Sequence, residues 1–276
     1  MEVNNILNAI NIILEKIYKS VEQEVFKGLD DLLIINEKIL QKEPLKVLLM
    51  ENTKEGLYVL AMSFVIFFLI YYIIVRTIAM YNGENVDGVF KYILRVIICL
   101  ICSASSLYIF EQILSINGIL TETIASIGKD MTGQNICFES LREVVLGLDK
   151  YMSEEALSID GIIKGVISFG ATTILITFAI RYVTVVFLIV ISPITIMFAA
   201  SDATSGIFKS WVKMLCGNLF IQNVVVVILM IPLSVKELDS NLFKIILVGS
   251  IYLLYRINNF SKEFLGNISE QIVRRK

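Results

Sequence analysis

A lone cation in apolar surroundings is the first residue of this chain whose chemistry needs explaining. Arg181 stands in the long apolar stretch from Gly161 to Ala200. A charge at the centre of a bilayer helix costs at least ~2.5–3.5 kcal/mol on insertion scales, so its guanidinium is expected to face a helix bundle or a wet cavity. A gate or an assembly contact would use it that way. A hairpin corner at the interface, or a snorkelling side chain, would use it only as an anchor. Asn218 and Gln222 lie four apart and so share a helix face, with Asn223 adjacent. Amides buried in lipid hydrogen-bond across helices for ~0.6 kcal/mol each, and we prefer that use to pore lining. Ser192-Pro193 and Pro232 read as kinks, the broken helices of transporter sites being the other use of such prolines. Trp211 reads as an interfacial anchor.

Catalytic and metal chemistry find little to work with. The chain has no histidine, which removes the commonest metal ligand and the usual base near neutral pH. Cys99-x-x-Cys102 has a redox spacing but sits in an apolar run, where a thiolate is poorly solvated. We read both cysteines as small packing residues. The sequence contains no phosphate-cradling Gly-Lys-Ser/Thr loop, no His-Glu-x-x-His and no Gly-x-Ser-x-Gly. Asp87, Asp160 and Asp202 fall at the edges of apolar runs, outside the reach of an intramembrane aspartyl protease. The expectation is no enzyme, no cofactor and no metal. With a net charge of −2, no overall basic field exists to hold nucleic acid.

The elements that must position these residues follow from composition. Of 276 residues 56% are hydrophobic and 18% charged, against about 25% charged in an average soluble domain. The apolar residues cluster in runs near the ~20 needed to span hydrocarbon, where every backbone polar group must be paired internally. The fold class expected is therefore all-α, a polytopic membrane helical bundle of about five transmembrane helices. Residues 1–55 read as an amphipathic helical region outside the hydrocarbon, on a stripe of Ile6, Ile10, Ile13, Leu14 and Ile17 that Val21, Val25 and Leu29 continue until Pro44 breaks it. That stripe would lie on the membrane surface or pack against a partner. Residues 1–20 lack a basic start followed by an apolar block, so no cleavable signal peptide is expected.

Residues 56–114 hold the first two spans, Gly56–Val75 and about Tyr92–Leu114. In the second, Cys99, Cys102, Ser103 and Ser106 make a small-residue face. Residues 115–161, with eight acidic and three basic residues, read as an extracytoplasmic loop with short helices. Residues 162–256 hold spans three to five. Gly161–Ala200 is too long for one crossing, and Phe178–Val183 offers no turn residues for a hairpin. One over-long helix broken near Ser192-Pro193 is preferred to the six-span alternative. About Met214–Val235 and the short Leu242–Tyr255 complete the set, and residues 257–276 form a basic tail.

Basic residues mark the cytoplasmic side. Placing the tail inside, with the 76–95 and 201–213 connections, gathers ten basic and five acidic residues there. Lys42, Lys46 and Lys54 argue the other way, but N-out/C-in has the larger bias. The terminal Arg274-Arg275-Lys276 reads as an orientation signal, with contact to anionic lipid as a second use.

One segment also resembles a known family. Arg181-Tyr182-Val183 leads to Ile191-Ser192-Pro193-Ile194, then Ala199-Ala200-Ser201, Thr204, Phe208-Lys209 and Trp211. This order, over roughly residues 165–235, resembles the TrbL-type polytopic inner-membrane subunit of conjugative type IV secretion systems. There an Arg-bearing span leads to a Ser/Gly-Pro element, small residues and a Phe-x-x-Trp connection. The resemblance implies an oligomeric channel or scaffold subunit of a plasmid or integrative element in a bacterial cytoplasmic membrane. Its partners would be membrane lipid, the secretion ATPases and the other membrane subunits. It would help single-stranded DNA and relaxase across while touching DNA only indirectly. The long C-terminal extensions of some relatives have no counterpart, so no hydrolase activity is implied. The competing expectation is a small-solute transporter or channel subunit, although no internal repeat supports one.

Overall fold

A computed structural model describes Lys16 and residues 24–40, 57–83, 88–149, 159–235 and 242–257. The described elements are helices, and no strand occurs among the described residues. In chain order they are α1 (24–33), α2 (Leu57–Tyr81), α3 (Val89–Ala104), α4 (Ser106–Thr132) and α5 (Phe138–Asp149). There follow α6 (Ile159–Val190), α7 (Ser192–Met197), α8 (Ser205–Ser234) and α9 (242–257). Short 3-10 turns lie at Glu37–Ile39 and Phe198–Ala200.

Among the described residues three segments are long and apolar enough to cross a bilayer: Ala61–Tyr81, Gly165–Val190 and Ser205–Ser234, of 21, 26 and 30 residues. A fourth arises if α3 and α4 count as one broken span, since they are bent by 65°. Three to four candidates thus stand against the five expected, for two reasons. The stretch read as one span over Tyr92–Leu114 is divided at Ser105, within Ser103-Ala104-Ser105-Ser106, where serines are weak helix formers. And the described part of α9, 16 residues, rises ~24 Å against ~30 Å of hydrocarbon. By contrast α6 runs without a turn through Phe178–Val183, so no hairpin forms there.

Two further stretches are described only in part. The stretch 115–161 includes the rest of α4, which runs on to Thr132 before Gly133 closes it at φ 69°, the left-handed value a helix C-terminus favours. The amphipathic stripe is described only in part. Val25 and Leu29 are buried, whereas Ile6, Ile10, Ile13, Leu14, Ile17, Val21, Pro44 and the tail from 258 to 276 lie outside the described residues.

The chain divides into two compact units. The first takes its described residues from Met1–Ile35, Asn117–Tyr182 and Gly217–Lys276. Its core joins Phe26, Leu29 and Leu33 of α1 to Phe138, Ile174, Phe178, Val225, Leu229, Leu247 and Leu254. Close approach depends on small residues. A methyl group on Gly28 would lie 3.2 Å from Leu175 Cδ1, and one on Gly128 would lie 2.7 Å from Ile136 Cγ1 and 2.9 Å from Met230 Cγ. The Asp30 carboxylate accepts from the amides of Phe138 (2.8 Å) and Glu139 (2.9 Å), capping α5 at the end where the helix dipole favours an anion.

The second unit comprises Asn36–Ile116 and Val183–Cys216. Ala61, Phe68 and Tyr72 of α2 pack with Tyr92, Val96 and Cys99 of α3 and with Met197 and Ala200. Tyr72 and Tyr92 stack at 4.0 Å between centroids, and the Tyr92 hydroxyl donates to Phe68 O (3.0 Å). The outward faces of these helices stay apolar, with Ile66, Phe67, Ile70, Ile73 and Ile97 exposed, as lipid requires.

Candidate functional site

The first unit buries its polar groups in two linked arrangements. Arg181 is only 1% exposed, among apolar side chains near the end of the unit's share of α6. Its Nη2 donates to the carbonyls of Leu33 (2.6 Å) and Leu32 (3.0 Å). These carbonyls belong to the last turn of α1, whose helical partners run out there. The negative end of the α1 dipole thus meets the cation, and the Phe178 ring lies 5.0 Å from its Cζ, a cation–π distance. Nε and Nη1 have no hydrogen-bond partner among the described residues.

A chain of side-chain hydrogen bonds starts two residues further on. The Ile35 amide donates to Gln222 Oε1 (3.2 Å), and Gln222 Nε2 donates to Thr121 Oγ1 (2.7 Å). Thr121 in turn donates to Asn223 Oδ1 (2.8 Å), and Asn223 Nδ2 donates to Asn117 Oδ1 (2.8 Å). Asn117 Nδ2 closes the run on Leu219 O (3.3 Å). These five bonds point in one direction, and Asn117 O is a second acceptor for both the Thr121 hydroxyl (2.8 Å) and Gln222 Nε2 (3.5 Å). Aligned bonds of this kind polarise and strengthen one another in a low dielectric. Amides, a hydroxyl and a guanidinium do not titrate near neutrality. The set can therefore hold backbone and resist rearrangement, and supplies no proton-transfer group.

The second unit handles polar groups at a helix break. After Val190 the ladder stops at Ile191 (φ −81°, ψ 0°), and α7 restarts with Ser192 and Pro193 in its first turn, where a missing N–H costs nothing. Carbonyls at the end of α6 thereby lose partners. Trp211 Nε1 donates to one of them, Leu188 O (3.0 Å), and Ser103 Oγ donates to Pro193 O (2.8 Å). The Trp211 ring packs edge-on against Phe110 at 5.7 Å and stacks on Phe208 at 5.9 Å. The Ser192 hydroxyl is buried without a hydrogen-bond partner among the described residues. At the rim Arg95 pairs with Asp202 at 2.8 Å.

The six residues singled out from the sequence thus divide by unit. Arg181, Asn218 and Gln222 belong to the first, and Ser192, Pro193 and Trp211 to the second. Asn218 is half-buried one turn before Gln222. Asn117, Thr121, Ser103 and the backbone of Leu32, Leu33 and Ile35 are partners that residue type alone does not reveal. The four-residue spacing of Asn117 and Thr121, equal to that of Asn218 and Gln222, was the available signal. Cys99 and Cys102 are free thiols, and no group of three or more His, Cys, Asp or Glu gathers among the described residues. No protein-family model, no curated protein and no solved structure matches the chain.

Proposed function

We propose that this chain is a non-enzymatic, multi-pass subunit of a conjugative type IV secretion system in a bacterial cytoplasmic membrane. Several copies form part of a channel or scaffold with the system's ATPases and other membrane subunits, through which DNA and relaxase pass. One observation above others supports this role. The ordered residues that carry the resemblance run from Arg181 on α6 through the Ser192-Pro193 break to Trp211 on α8, and side chains bond carbonyls at the interrupted ladder. A scaffold around a large cargo needs helices held in fixed, non-ideal geometry, and it needs no catalytic group. With α9 counted as a fifth crossing, the basic residues of the 76–95 and 201–213 connections and of the tail share the cytoplasmic side, and the orientation is N-out/C-in.

The competing role, a small-solute transporter or channel subunit, has the buried cation Arg181 in its favour. Deleting the gene in a donor strain separates the two. Plasmid transfer should be abolished and then restored by the intact chain, while Arg181→Ala should impair transfer with the protein still inserted. Normal transfer in the deletion strain contradicts the secretion role, and loss of solute uptake with normal transfer supports the transporter.

A further inference from the structure

Within the first unit α4 runs beside the second half of α8 in parallel and in register. Asn117 bonds Leu219 and Thr121 bonds Asn223, both across a separation of 102 residues. Gly128 meets Met230 at that same separation. Residues 117–128 therefore share the level of residues 219–230 along a helix that is long and apolar enough to cross a bilayer. The outer surface of α8 at this level is Phe220 and Val227, both exposed and apolar, as a lipid-facing surface requires.

The exposed surface of α4 at that level is not uniformly apolar. At ~100° per residue, Leu120, Ile127 and Met131 fall on one arc, and all three are exposed. Lys129, Glu122 and Ser126 lie on the far side of the same exposed surface, which runs on through Ile119, Asp130 and Thr123 to the first arc. Opposite the middle of this exposed surface, Asn117, Thr121 and Gly128 face α8. The first arc suits lipid; the far side carries a carboxylate and an ammonium, which at bilayer depth face a water-filled cavity or each other's kind and not acyl chains. We propose that the Glu122–Ser126–Lys129 arc of α4 lines a water-filled path at bilayer depth. This stands on the helix geometry and is independent of the secretion role.

The test uses the full chain with Cys99, Cys102, Cys137 and Cys216 changed to alanine, carrying one new cysteine at a time in native membranes. A membrane-impermeant sulfonate thiol reagent should react with Glu122→Cys and Ser126→Cys at least an order of magnitude faster than with Ile127→Cys or Val227→Cys. Ser126→Cys is nearly isosteric, so it carries the comparison alone if Glu122→Cys fails to insert. Equally slow reaction at all positions means that lipid covers both arcs, and equally fast reaction means that α4 lies outside the bilayer; either overturns the proposal. So does a Ser126→Cys disulfide between two copies without labelling, which would make the arc a subunit contact.

Discussion

The two units solve the same problem, polar groups among apolar helices, by opposite means. In the second unit the polar bonds are repairs made near the interruption: Trp211 and Ser103 each reach a carbonyl close to the Pro193 break. Each repair involves one donor and one acceptor and can be lost without disturbing the other. In the first unit the bonds are serial, and they tie sequence-distant segments together. Arg181 reaches back 148 residues to Leu33, and the Ile35 amide leans on a chain that ends at the α8 backbone. Removing one member deprives the next of a partner, so the first unit should respond to substitution more strongly and farther away.

Arg181→Ala offers the harshest test of that contrast. Charge-assisted bonds contribute ~1.5–3 kcal/mol each, while losing a cation with two unbonded nitrogens relieves part of the desolvation cost. We expect a net loss of about 3 kcal/mol, measured by thermal unfolding in detergent. Amide exchange should rise in residues 24–35 and stay unchanged in α2. Gln222→Leu keeps the approximate volume but orphans the Ile35 amide and one acceptor of Thr121, each worth ~1–3 kcal/mol when buried. A loss of about 2 kcal/mol follows. In the second unit Trp211→Phe retains the packing on Phe110 and Phe208 and removes only the bond to Leu188 O. The expected loss is about 1 kcal/mol, with faster exchange confined to the α6–α7 junction. Arg95→Ala breaks a pair at the rim, where Arg95 is 37% and Asp202 81% exposed. Such pairs are worth ~0–1 kcal/mol and are screened by salt, so a change larger than that of Trp211→Phe would contradict the ranking.

These differences also mark what the residues could disclose beforehand. Long uncharged runs give membrane-length helices because lipid leaves the backbone no other partner, and α2, α6 and α8 are legible for that reason. The break at Ile191 is legible because Pro193 lacks the N–H that the ladder needs. The serial network was hidden by its surroundings. Asn117 and Thr121 stand at the start of a stretch rich in acidic residues, which reads as solvent-facing, although the helix that carries them packs along α8. The docking of α1 was hidden for another reason. An amphipathic stripe states that one face is covered, not what covers it, so Val25 and Leu29 fit a membrane surface as well as they fit the core they enter. The partners of Arg181 are backbone carbonyls, which every residue possesses and no sequence pattern marks.

The claim on which this contrast rests is that side chains from membrane-length helices hold the backbone just after α1. Hydrogen exchange at the Ile35 amide tests it most directly, because that N–H has Gln222 Oε1 as its acceptor at 3.2 Å. Gln222→Leu in lipid nanodiscs should accelerate exchange at Ile35 severalfold while the amides of α2 keep the rates of the unaltered protein. An Ile35 amide equally protected with and without Gln222 would contradict it.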